Sequence, residues 1–216
     1  MTAEAAAQTK SAARMVFLAG AIIALSHLAD EWVKAPIPVG PAWKCVGIIL
    51  LGVYAGLQKA WLPMAGFFFS AAGDVFLELD GLFVFGMAAF GLAHVCYSAE
   101  FVRIIRRDGL YWKGWPICVV VLIVSIELAV YLVPAMGDLL VPAVAYQIII
   151  STMLILALMS KAPIIAKVGA AVFMFSDTLI AVNMFRGLPV PAGSVWLTYA
   201  AAQIMLAVGF TRIRLV

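Results

Sequence analysis

The stretch WPICVVVLIVSIELAVYLV, residues 115–133, decides the fold class. It carries a single charge, Glu127, in a run long enough to cross a hydrocarbon core of ~30 Å at a rise of ~1.5 Å per residue. Similar apolar runs recur on either side, separated by short charged or Pro/Gly-bearing breaks. They give spans over 15–29, 43–58, 61–78, 82–102, 115–133, 139–159, 163–185 and 194–212. Spans two and three are so close that a helical hairpin is expected there. Composition agrees: 66% of the 216 residues are hydrophobic and 12% charged, against roughly 45–50% apolar and about 25% charged in a soluble domain. Mean hydropathy is +1.11. Too little polar surface is present to coat a water-soluble globule. The expected fold is all-α, a polytopic membrane bundle of about eight transmembrane helices. It forms a single integral membrane domain over 1–216, with 1–13 as a short N-terminal tail. Any function then sits within or at the edge of the bilayer.

Cys45, Cys96 and Cys118 lie in apolar surroundings, at spacings that fit neither a disulfide framework nor a zinc ribbon. The net charge of +3 is read as membrane orientation and not as nucleic-acid binding. With a cytoplasmic N-terminus, the inside set is Lys10, Arg14, Lys59, Arg103, Arg106, Arg107, Lys113, Lys161, Lys167, Arg212 and Arg214. The outside set is only Lys34, Lys44 and Arg186. Eleven of the 14 basic residues thus share one side. Both termini are therefore expected in the cytoplasm, and the membrane is expected to be the bacterial inner one.

An ionisable side chain well inside a span costs on the order of 2.5–3.5 kcal/mol by insertion scales, so each demands a partner or a purpose. Asp74, His94, Glu127 and Asp177 are the four such groups. Helical rise puts the three acids at similar depth in the outer half, with His94 nearer the middle, where they would line one cavity. Ser70 lies one turn before Asp74, and Gly73 lets a neighbouring helix come close. His94, Tyr97 and Glu100 form one stripe at three-residue spacing. Ser176 precedes Asp177, and Tyr146, Gln147, Tyr199 and Gln203 are candidate wall residues. Each has a bland alternative: an acid held by a hydroxyl across a helix interface, a satisfied core histidine, or an interhelical hydrogen bond. Aligning Asp74 on Asp177 also puts Gly66 on Gly169, a hint of a duplicated four-helix unit in parallel orientation.

Four motifs occur in order along the chain: Phe67-x-x-Ser70-x-x-Gly73-Asp74-x-x-Leu77, Phe90-x-x-x-His94-x-x-Tyr97, Gly169-Ala170-x-x-Phe173-x-x-Ser176-Asp177, and Tyr199-x-x-x-Gln203. In this the chain resembles the YhhN family of membrane proteins, whose characterised animal and bacterial members are lysoplasmalogenases. The resemblance implies a hydrolase that splits the vinyl-ether bond of a lysoplasmalogen into a fatty aldehyde and glycerophospho-ethanolamine or -choline. The family has Lys-Pro where this chain reads Lys44-Cys45, which leaves Lys44 without an assigned role.

A vinyl ether is cleaved by protonating its β-carbon, after which water adds to the oxocarbenium ion and the hemiacetal collapses. Glycosidases meet a related oxocarbenium-like transition state with two carboxyl groups. Asp74 and Asp177 are the expected pair, one donating the proton and the other stabilising the cation and orienting water. His94 is expected as the third catalytic residue, relaying protons or activating water. Ser70, Tyr97, Glu127, Tyr146, Ser176, Tyr199 and Gln203 are the expected substrate-binding set. The scheme requires neither metal nor organic cofactor, and its partners are the lysophospholipid substrate and membrane lipid.

Other readings fare worse. A ceramidase-like zinc hydrolase needs three histidines, whereas the chain has only His27 and His94. An aspartyl intramembrane protease would show a Tyr-Asp pair and a Pro-Ala-Leu element, which are missing. A small-molecule or proton-coupled transporter is the alternative from another class, since buried acids also serve as relays.

Overall fold

The computed structural model describes residues 3–29 and 40–212. Those residues form eight α-helices: α1 (Ala3–Ser26), α2 (Gly40–Leu57), α3 (Trp61–Glu78), α4 (Phe83–Asp108), α5 (Trp115–Leu132), α6 (Leu140–Met159), α7 (Ile164–Arg186) and α8 (Ser194–Arg212). Among them no strand occurs. Five helical segments, Phe83–Asp108, Trp112–Ala135, Gly137–Met159, Ile164–Arg186 and Ser194–Arg212, are long and apolar enough to cross a membrane, and Ala42–Leu57 is a shorter apolar helix. The protein is an integral membrane protein. The predicted break from Asp30 to Pro41 lies, up to position 39, outside the described residues, as do Lys34 and Arg214.

Two boundaries differ from expectation. Residues 3–13, read from sequence as a tail, are helical and continuous with α1, because alanine is the strongest helix former and this segment is rich in it. Helix α4 runs past the predicted end at 102 to Asp108, carrying Arg103, Arg106 and Arg107 on its last turns. It stops where Gly109 takes a φ of 84°, a conformation that favours glycine. The expected α2–α3 hairpin is present, turned by Gln58 to Ala60 with Lys59 at φ 59°.

Helix ends meet in two sets, which fixes an alternating up-and-down path. At one end Tyr54 Oη and Thr211 Oγ1 are 3.0 Å apart. There too the Tyr111 amide donates to the Met159 carbonyl at 2.7 Å, and Lys167 Nζ lies 4.1 Å over the Tyr111 ring. At the other end Lys44 pairs with Glu78, Arg186 donates to the Tyr131 carbonyl, and Trp196 Nε1 donates to the Ala24 carbonyl at 2.7 Å. Trp61, Trp112 and Trp115 are exposed at helix ends of the first set, as befits aromatic residues at a bilayer interface.

Helices α3 with α4 and α7 with α8 pack closely, and α8 also touches α1, α2 and α3. The aromatic core between α4 and α8 includes Tyr97 stacked on Phe210 at 5.7 Å and Phe101 at 5.0 Å from the same ring. Helix α5 stands at the margin against α6, with only Ser125 and Leu132 buried. Small residues permit the close crossings. A Cβ on Gly47 would lie 2.6 Å from the Ala24 amide nitrogen, and one on Gly209 would lie 2.5 Å from Ala166 Cβ. Substituting Gly209→Val forces α8 away from α7. The expected result is a loss of about 1–3 kcal/mol of stability, read as a lower midpoint of thermal unfolding in detergent.

Candidate functional site

Asp74 sits in the C-terminal half of α3, where Gly73 lets the Phe90 ring of α4 approach so closely that a Cβ there would meet it at 2.6 Å. Its Oδ2 accepts a hydrogen bond of 2.8 Å from Tyr199 Oη of α8. Asp177 occupies the corresponding place in α7, and its Oδ2 accepts a 2.5 Å bond from Tyr146 Oη of α6. Each acid thus meets one tyrosine hydroxyl from another helix, and its Oδ1 makes no hydrogen bond among the described residues. Ser70, Ser176 and Thr178, the hydroxyls nearest in sequence, do not hold the acids; Thr178 Oγ1 donates to the Met174 carbonyl at 2.8 Å. Ser176 Oγ donates instead to the Val195 carbonyl at 2.9 Å.

His94 is fully buried on α4. Its Nδ1 lies 2.5 Å from the Phe90 carbonyl, and since a carbonyl can only accept, that nitrogen carries the proton. Nε2 points toward Asp177, 3.9 Å from Oδ2, and has no hydrogen-bond partner. The imidazole is boxed by the rings of Phe173 at 4.6 Å and Tyr146 at 5.4 Å. Phe173 also stands edge-on to Tyr199 at 5.3 Å, so one aromatic residue spaces the two acid–tyrosine pairs. Across the halves, Asp74 of α3 faces α8 and Asp177 of α7 faces α4.

Both acids line one cavity of about 470 Å³, walled by residues of α2 to α8, within the size range of small-molecule sites. Tyr146, Ser176 and Tyr199 line it as well. Its long apolar flank runs between α5 and α6, where Leu122, Ile126 and Ile148 both line the cavity and are 49%, 55% and 61% exposed. A residue that faces cavity and surroundings at once marks a sideways opening.

Gln147 also lines the cavity, whereas His94, Glu127, Ser70, Tyr97 and Gln203 are not among its lining residues. Glu127 is exposed on α5 and absent from the lining. Its neighbours Ile126 and Leu128 line the cavity, and successive helical residues point about 100° apart. Ser70, Tyr97 and Gln203 form a buried polar patch behind the acids, in which Tyr97 Oη donates to Gln203 Oε1 at 2.9 Å while Ser70 Oγ and Gln203 Nε2 have no partner. Glu100, on the same stripe, is gripped by Arg103 through bonds of 2.8 and 2.6 Å.

The polar and aromatic wall residues that sequence reasoning did not single out include Lys44, Glu78 and Trp196, together with Ser125, Ser151 and Thr152. Glu78 was within reach, since it follows Asp74 by four residues and so shares its helix face. The Lys44 partnership depends on how α2 and α3 pack, which no local spacing encodes.

The sequence model of the YhhN family matches residues 39–210. A lysoplasmalogenase of Mycobacterium bovis is 32% identical over 185 residues, covering 79% of this chain and 69% of that protein. Lysoplasmalogenase TMEM86B of Mus musculus is 31% identical over 183 residues, covering 84% and 77%. The human protein of the same name is 29% identical over 178 residues, covering 78% and 74%. No solved structure matches the chain. With a family match across most of its length, and relatives of that similarity aligned over more than two thirds of their own sequences, this chain belongs to the YhhN family.

Proposed function

We propose that this protein is a lysoplasmalogenase that hydrolyses the vinyl-ether bond of a lysoplasmalogen with Asp74 and Asp177. The carrying observation is that two carboxyl groups from separate helices, each anchored by a tyrosine, line a single lipid-sized cavity. The names of its relatives point the same way.

In this reading one carboxyl gives its proton to the β-carbon of the alkenyl chain. The π electrons form the new C–H bond, and positive charge develops on the α-carbon and ether oxygen. The other carboxyl, as carboxylate, stabilises that cation. Water adds to the α-carbon and gives up a proton to His94 Nε2 or the carboxylate beside it. The hemiacetal then collapses: its hydroxyl gives up its proton to a carboxylate as the C–O bond to glycerol breaks, the glycerol oxygen takes a proton from the protonated base, and the aldehyde leaves. Tyr146 and Tyr199 hold the acids in place, so each reacting oxygen is oriented before substrate arrives. Ser70, Tyr97 and Gln203 support the Asp74 side from behind.

The glycerol and the first part of the chain occupy the cavity, and the rest of the tail passes between α5 and α6 into the bilayer. The membrane in this proposal is a bacterial cytoplasmic one with both termini inside, supported by the basic-residue asymmetry and by the helical architecture.

Incubating purified protein with a lysoplasmenyl lipid should release fatty aldehyde detectable by mass spectrometry, whereas the ester-linked analogue should stay intact. Asp74→Asn and Asp177→Asn retain an acceptor for the tyrosine hydroxyl, so both variants should fold. Each should lose turnover by about 10²-fold or more. Full activity in the folded Asp74→Asn protein would remove the acid assignment. Ile148→Trp, at the lateral opening, should raise KM for long-chain substrate more than it lowers kcat; an unchanged KM would argue for another route.

A further inference from the structure

The cavity wall carries one ion pair, and it lies at the outer end next to Asp74. Lys44 of α2 and Glu78 of α3 pair there, and both line the cavity. Their side chains are 19% and 38% exposed, so neither is locked in the interior. Lys44 Nζ also lies 5.6 Å over the Trp196 ring, close enough for a cation–π contact, and Trp196 is itself pinned through its indole N–H to the Ala24 carbonyl. A pair this accessible adds little to stability. Its position on a binding cavity is what calls for a purpose.

We infer that Lys44 and Glu78 form a head-group site for a zwitterionic phospholipid, with Lys44 meeting the phosphate and Glu78 the ammonium. This rests on the reading of the cavity as a lysoplasmalogen site and adds to it the residues that hold the head group and the end of the bundle at which that group sits. Two observations support it. The first is charge balance. Opening one ion pair to admit a zwitterion replaces it with two, and no charge is left unmatched. A purely anionic head would instead set its charge beside the Glu78 carboxylate, and a neutral head would leave the pair unused. The second is reach. Glu78 follows Asp74 by one helical turn, about 6 Å along α3. In a glycerophospholipid the phosphorus lies about five bonds, again about 6 Å, from the sn-1 ether oxygen. A lipid whose vinyl ether lies beside Asp74 therefore carries its phosphate at the height of the pair. Trp196, already beneath the Lys44 ammonium, adds an aromatic wall at that height.

The test measures equilibrium binding of three radiolabelled, non-hydrolysable lipids to purified protein in one detergent: a 1-O-alkyl lysophosphoethanolamine, the matching alkylglycerol phosphate, and the matching alkylglycerol. Wild type should prefer the zwitterion over the alkylglycerol by about tenfold or more. In Lys44→Met that ratio should fall close to unity, while Lys44→Arg should keep most of it. Glu78→Gln should narrow the preference for the zwitterion over the anionic lipid. A ratio unchanged in Lys44→Met, or a parallel fall for both lipids, overturns the assignment. Aldehyde release is scored separately. The expected binding pattern without hydrolysis supports the head-group site and counts against the lysoplasmalogenase reading, whereas hydrolysis with the ratio intact in Lys44→Met does the reverse.

Discussion

A carboxyl group lodged among hydrocarbon has no water to bond, so the protein must supply a donor or bear the cost of leaving it bare. Here the donor is a tyrosine hydroxyl from another helix, in both cases: Tyr199 for Asp74 and Tyr146 for Asp177. Much of the bundle follows from those two bonds. They tie α3 to the distant α8 and α6 to its neighbour α7, so that both halves of the chain converge on one space. They also spare one oxygen of each carboxyl, and the space they enclose is the cavity. The aromatic spacer Phe173 and the close contact of Gly73 with Phe90 then set how near the two pairs stand.

The membrane character and helix count were legible because hydrocarbon thickness imposes a length that composition cannot disguise. Seven of the helices fall within a few residues of their predicted spans, apart from the basic end of α4. The start of α1 was not legible, since the hydropathy that marks a span is blind to an alanine-rich polar segment that is nonetheless helical. The acids and His94 were found because charge inside an apolar run is costly and therefore conspicuous. The partner of each acid was not, because Tyr146 and Tyr199 differ in no local way from any interhelical tyrosine. Glu127 met the same test of cost as the aspartates, yet it faces outward on the marginal helix α5. Periodicity gave it no strong face, because α5 is apolar all round. The pairing of Lys44 with Glu78 emerges only once α2 and α3 are packed.

The layout suits chemistry on a molecule that lives partly in the bilayer. One flank of the cavity is apolar and opens sideways between α5 and α6, the other end carries the Lys44–Glu78 pair, and the two aspartates lie between them. A single-chain ether lipid has the same order of parts: tail, reactive bond, charged head. Helix α5 contributes few buried side chains, so displacing it to admit a tail would cost fewer buried contacts than displacing any better-packed helix. The better-packed helices α3, α4, α7 and α8 carry the acids and their immediate surroundings, as precise positioning requires.

The central claim is that a carboxyl protonates the alkenyl carbon and that water then attacks the carbon bound to oxygen. It is tested most directly by running the hydrolysis in water enriched in deuterium and heavy oxygen and analysing both products by mass spectrometry. The account predicts one deuterium on the carbon next to the aldehyde group and no heavy oxygen in the glycerophospho fragment, which keeps its original ether oxygen. Heavy oxygen in that fragment would mean cleavage on the glycerol side of the ether, and failure to form any aldehyde would contradict the account outright.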